Sequence, residues 1–165
     1  VESPELRLRP PRHQVSRRAI TWWTMQAVLS VLTLLVPVLV GLLTWPDARS
    51  PLAWAAAAVL LLGGVYVVMM PRWRFRIHRW EATEDAVYTS AGWLSQQWRV
   101  APMSRIQTVD TVRGPLQQLL GLSTVTVTTA SAAGPLQVEG MDHRQARALV
   151  EQLTATTQAT PGDAT

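Results

Sequence analysis

The chain has 165 residues, 48% of them hydrophobic, enough for a membrane anchor plus one small soluble domain. It has no cysteine, which excludes disulfides and thiolate-held metals. The formal net charge is +4 and every basic side chain is arginine; clustered beside apolar runs, these arginines speak for lipid headgroups and topology and against nucleic acid.

Residues 1–18 form a basic tail with Arg7, Arg9, Arg12, Arg17 and Arg18. Two uncharged apolar runs follow, Ile20 to Leu43 and Leu52 to Met70. Each has the roughly 20 residues that a helix needs to cross a bilayer core. The first is too long for the apolar segment of a signal peptide, so it reads as a retained span. The link between them is too short for a domain, which predicts an antiparallel hairpin over residues 19–70. Arg72, Arg74, Arg76 and Arg79 follow the second run, whereas Arg49 in the link is offset by Asp47. Arginine excess marks cytoplasmic flanks, so the expected location is the inner membrane, multi-pass, with both termini cytoplasmic.

Trp22, Trp23 and Trp73 near one end of the runs, and Trp45 and Trp54 near the other, read as markers of the two water interfaces. Ala55 to Ala58, Gly63 and Gly64 permit close helix packing, either inside the hairpin or against another membrane protein or a second copy. Neither run holds a charged residue, which argues against a transporter or channel acting alone.

From Arg72 the pattern changes to short alternating segments. Arg74 to His78 reads as a strand with Phe75 and Ile77 on one face. Further strands are expected at Ala86–Ser90, at Ser95–Ala101 with Trp98 and Val100 on one face, and at Ile106–Arg113. Gly114-Pro115 opens a helical turn over Leu116–Leu120, with Gly121 as its C-cap. Leu122–Ala130 alternates valine and threonine as a strand does, Ser131–Gly134 reads as a hairpin turn, and Pro135–Glu139 as the return strand. Asp142 suits an N-cap, with Gln145 in the capping-box position. Ala146, Leu149, Val150 and Leu153 then form the apolar stripe of a final helix. Residues 154–165 read as a disordered tail. Antiparallel strands followed by one amphipathic helix predict an α+β fold, a small β-sandwich or barrel with the helix across one end.

Three stretches carry a family resemblance. They are Trp80-Glu81-Ala82-Thr83-Glu84-Asp85-Ala86-Val87, then Gly92-Trp93-Leu94, and Pro102-Met103-Ser104-Arg105-Ile106-Gln107-Thr108-Val109-Asp110. Gly114-Pro115-Leu116-Gln117-Gln118-Leu119-Leu120-Gly121-Leu122 and Gly140-Met141-Asp142 add to them. Together they resemble the bacterial pleckstrin-homology-like family, also called YdbS-like or membrane-flanked. The resemblance covers residues 72–153 and implies a PH-like antiparallel sandwich capped by a C-terminal helix, behind a helical hairpin anchor. It implies a binding or scaffolding module and no reaction. The basic loop by which some eukaryotic PH domains grip phosphoinositides is missing, because residues 90–95 contain no arginine.

His13, His78 and His143 lack metal-ligand spacing, and Ser104, Asp110 and His143 form only a nominal triad with no nucleophile elbow. No enzymatic activity, cofactor or metal is expected. Arg17, Arg18, Arg72, Arg74, Arg76 and Arg79 are candidate membrane-surface or headgroup contacts, or plain topology anchors. Trp93, Leu94, Leu116, Leu119 and Leu120 are candidate interaction residues, or core. The expected function is an adaptor or scaffold at the cytoplasmic face, binding membrane lipids and another membrane protein or itself. The alternative is a lipid-sensing or lipid-handling accessory protein of the cell envelope.

Overall fold

The computed structural model describes residues 11–130 and 134–159. Most of the expected Ser131–Gly134 turn, the N-terminal Arg7 and Arg9, and residues 160–165 lie outside the described residues. The apolar runs form helices α1, Arg18–Thr44, and α2, Arg49–Ile77, joined by a 3-10 turn at Pro46–Ala48. The helices pack against each other. Gly63 permits this approach: a Cβ there would lie 2.8 Å from a Val31 methyl. Gly64 has nothing within 4 Å and faces outward. Only 11% and 6% of the two span windows are buried, so the apolar surface is left for a bilayer to cover.

The expected strand at Arg74–His78 is instead the last turns of α2, which passes through Pro71 and ends at Ile77. The alternation there was real but too short to outweigh a second, helical spacing. Val67, Met70, Pro71, Arg74 and His78 repeat at three or four residues and turn toward the domain.

Strands β1, His13–Gln14; β2, Arg79–Ala82; β3, Ala86–Gly92; and β4, Gln96–Pro102, make one antiparallel sheet in that order. Strands β5, Ile106–Val112; β6, Leu122–Thr129; and β7, Leu136–Asp142, make the second. Helix α3, Pro115–Leu120, precedes β6 and ends on Gly121 in the left-handed conformation at φ 67°. Helix α4, His143–Ala159, lies across the second sheet and the 3-10 turn at Met103–Arg105. It starts where the Asp142 carboxylate accepts the Arg144 N–H at 2.9 Å. It also runs past Thr154, where the sequence reads as a disordered tail, to Ala159. Threonine and glutamine weaken helix propensity only slightly, so a stripe anchored by Leu153 carries the helix on.

The core joins Val87, Leu122, Val125, Val127 and Met141 with Ala146, Leu149 and Leu153 of α4. It also contains Val15, Ala19, Trp22 and Trp23. These two tryptophans are therefore packed in protein, not stationed in a headgroup layer. Trp23 is fully buried against the Arg74 guanidinium, 4.9 Å from its ring, and against the His78 ring at 4.9 Å. Sequence position alone could not separate an interfacial indole from one at a helix–domain joint. Trp45, Trp54 and Trp73 remain exposed.

The candidate site is a polar cleft at the foot of the helical hairpin

The two sheets splay at the foot of α2 and leave a cleft of about 370 Å³. Its floor is Arg74 and His78, which α2 delivers one turn apart. One wall is the inner face of β3 and β4, with Thr89, Gln97 and Arg99; the other is β7, with Gln137 and Glu139. Strand parity places these groups. Trp98 and Val100 do share a face of β4, but that face points outward, and both are exposed, at 41% and 37%. Arg99 and Gln97 therefore share the inward parity of buried Ala101.

Charge in the cleft is unevenly matched. Arg74 Nη2 donates to Glu139 Oε2 at 2.6 Å, a half-buried ion pair. Arg99 donates to the Pro135 carbonyl at 2.9 Å and has no carboxylate partner among the described residues. His78 Nδ1 lies 2.9 Å from the Arg74 carbonyl oxygen. Burial first, then the nearby Arg74 charge, push its pKa down to about 4, so the imidazole is neutral at pH 7. Among the described residues the cleft thus carries two guanidiniums against one carboxylate, leaving one positive charge unmatched, and is lined by amide and hydroxyl groups.

Of the arginines read from the sequence, Arg74 alone lines this cleft. Arg17, Arg72 and Arg76 are exposed, and Arg72 Nη1 reaches back to the Val68 carbonyl at 2.7 Å. Arg18 ties the hairpin to the domain, donating to the Leu120 carbonyl at 3.4 Å and lying 3.9 Å from Asp142. Arg79 is half-buried on β2, opposite Ser90. The β3–β4 turn folds back on α2: the Trp93 ring meets Tyr66 edge-on at 5.7 Å, beside the apolar Leu62, Val65 and Met69. Leu94 at that tip is 83% exposed. Leu116 and Leu120 pack on the core, whereas Leu119 is 83% exposed.

Arg99, Gln97, Glu139 and His78 were not singled out as site residues by sequence. One signal was present: polar residues at Gln97 and Arg99 alternate with Trp98 and Val100, so whichever face pointed inward decided the matter. Buried Gln117 was missed too; it accepts from Gly114 N–H at 2.9 Å and donates to Thr124 Oγ1 at 2.8 Å, locking α3 onto β6. Of the nominal triad, Asp110 accepts from Thr108 and His143 Nδ1 sits 3.2 Å from Ser123 Oγ. Among the described residues there is no group of three or more ligands suited to a metal ion.

Comparison with known proteins gives the same architecture a family. The UPF0699 transmembrane protein YdbS of Bacillus subtilis strain 168 is 28% identical over 159 residues, spanning 93% of this chain and 97% of that protein. No solved structure matches significantly. Residues 26–157, which include most of the hairpin and strands β2 to β7, match the family described as Bacterial PH domain. The chain is a membrane protein that belongs to the bacterial PH domain family.

Proposed function

We propose that this protein is a non-enzymatic adaptor, anchored in the inner membrane by its hairpin with both termini cytoplasmic, that binds another membrane protein or a second copy of itself. The observation that carries this reading is the outer face of β4. Trp98 and Val100 stand exposed there on an edge strand, next to half-buried Tyr88 on β3. An edge strand offers unpaired backbone groups, and an aromatic beside it supplies the contact area typical of an interface anchor. The hairpin holds this edge at a fixed height because α1 shares its buried residues with the domain core.

The test is a photocrosslinking residue at position 98 in the full chain, in native membranes. A discrete crosslinked protein band that disappears in Val100→Asp supports the adaptor. A band pattern identical to that from exposed Leu119, or no protein adduct, removes it. A second reading, lipid sensing, is favoured by the unmatched arginine charge in a cleft at the foot of two membrane helices.

A further inference from the structure

Three cavities follow one another from the domain into the hairpin, and each shares lining residues with the next. The polar cleft and a second cavity of about 430 Å³ have Arg74 in common. That second cavity, flanked by Gln26 and Met70, shares Ser30 and Tyr66 with a third of about 440 Å³. The third runs between α1 and α2 and is lined by Val31, Leu34, Ala58, Leu62 and Gly63. Polarity falls along this path: guanidiniums and amides at the foot, Arg74, Gln26 and Ser30 in the middle, and beyond the shared Ser30 and Tyr66 only aliphatic side chains and Gly63. Small residues line the groove, Ser30 at the junction and Ala58 beyond it, so a larger side chain at either would intrude on the path.

The scale fits one leaflet. The apolar part of the path follows α2 from Met70 to Ala58, a rise of about 18 Å at about 1.5 Å per residue. Half of a hydrocarbon core of about 30 Å is about 15 Å. A ligand that follows this path is therefore anionic at one end and apolar over one leaflet's depth.

We propose that the cleft and the α1–α2 groove form a single site for one anionic glycerophospholipid. Its phosphate is held by Arg99, with Gln97 and Thr89 beside it, and one acyl chain lies along the groove past Ser30 and Tyr66. Arg74 stays paired with Glu139 and forms the sill between head and chain. This inference rests on the lipid reading for its ligand class and is separate from the protein contact at β4.

The experiment is native mass spectrometry of the full chain in mild detergent, after delipidation and titration with phosphatidylglycerol or, as the neutral comparison, phosphatidylcholine. One retained phosphatidylglycerol per chain is expected, with phosphatidylcholine retained far less and millimolar inorganic phosphate unable to displace it. Arg99→Gln should lower the occupancy constant at least about tenfold through loss of a charge-assisted bond. Ser30→Leu, which alters no charge and lies on an exposed helix surface, should lower it by a similar factor. Arg72→Gln with Arg76→Gln, on the exposed rim, should leave it unchanged. If the rim pair abolishes retention while Arg99→Gln and Ser30→Leu do not, the site is wrong and general lipid attraction survives. If both lipids are retained alike with no preferred stoichiometry, or phosphate alone displaces the adduct, the site and the lipid reading both fail.

Discussion

Gly140→Ala tests how rigidly the anchor and the domain are joined. Gly140 sits in β7 with φ 72°, a conformation that costs an L-residue about 1–2 kcal/mol. Its carbonyl accepts the Ser16 N–H at 3.0 Å, so the strand touches the chain just before α1. A Cβ built there falls 2.5 Å from the Ala19 Cβ and 3.7 Å from the Trp23 ring. Carbon atoms pack best at about 3.5–4.0 Å, so helix and strand must separate by about 1 Å. Overpacking of that kind costs about 1–3 kcal/mol. The expected total is about 2–5 kcal/mol, read by denaturant unfolding of the full chain in detergent with tryptophan fluorescence. Two companions split the sum. Gly134→Ala has the same kind of backbone, φ 79°, but nothing within 4 Å of its Cβ, and should cost only the backbone share. Ala19→Gly removes the clash partner, so the double variant should recover about 1–3 kcal/mol in a double-mutant cycle, after the cost of about 1 kcal/mol for glycine in a helix. Equal losses for Gly140→Ala and Gly134→Ala, or no recovery with Ala19→Gly, would refute the proposed close packing at the joint.

Three further outcomes are expected. His78 has a folded-state pKa of about 4 against 6.5 unfolded, so between these values the unfolded chain binds more protons. Stability should therefore fall as pH drops from about 6.5 to 4, by up to about 3 kcal/mol, and His78→Gln should flatten that slope in a pH series of melts. In a double-mutant cycle, Arg74→Gln and Glu139→Gln should show a coupling of about 1–2 kcal/mol for their half-buried pair. Arg74→Gln should cost more than Glu139→Gln, because the guanidinium also faces Trp23. The absence of cysteine makes topology simple to read. Single cysteines at Ser50 and at Gln152 should react with an impermeant maleimide on opposite sides of the membrane, Gln152 only after cell lysis; labelling of both in intact cells would overturn the proposed orientation.

Much of this architecture is carried by local pattern. Uninterrupted apolar runs demand helices in lipid whatever surrounds them, and Gly114-Pro115 to Gly121 encloses a helical turn by the conformations those residues allow. The valine–threonine alternation of β6 orients itself, because Val125 and Val127 gain by burial and the threonines between them do not. Arg74–His78 went the other way: five residues can satisfy a period of two and still belong to a helix whose remaining turns are set by upstream residues.

What the order of residues could specify, then, was everything that depends on near neighbours: two membrane-length helices, a run of antiparallel strands, a closing amphipathic helix, and arginine at one end of the hairpin. Which way β4 faces, and hence that Arg99 lies inside while Trp98 lies outside, depends on distant partners, such as the Pro135 carbonyl just before β7, 36 residues from Arg99. The burial of Trp23 and the Arg74–Glu139 pair depend likewise on partners distant in the chain. Burial free energy is gained only when such surfaces meet, so no local pattern records it, and the cleft they enclose exists only in three dimensions.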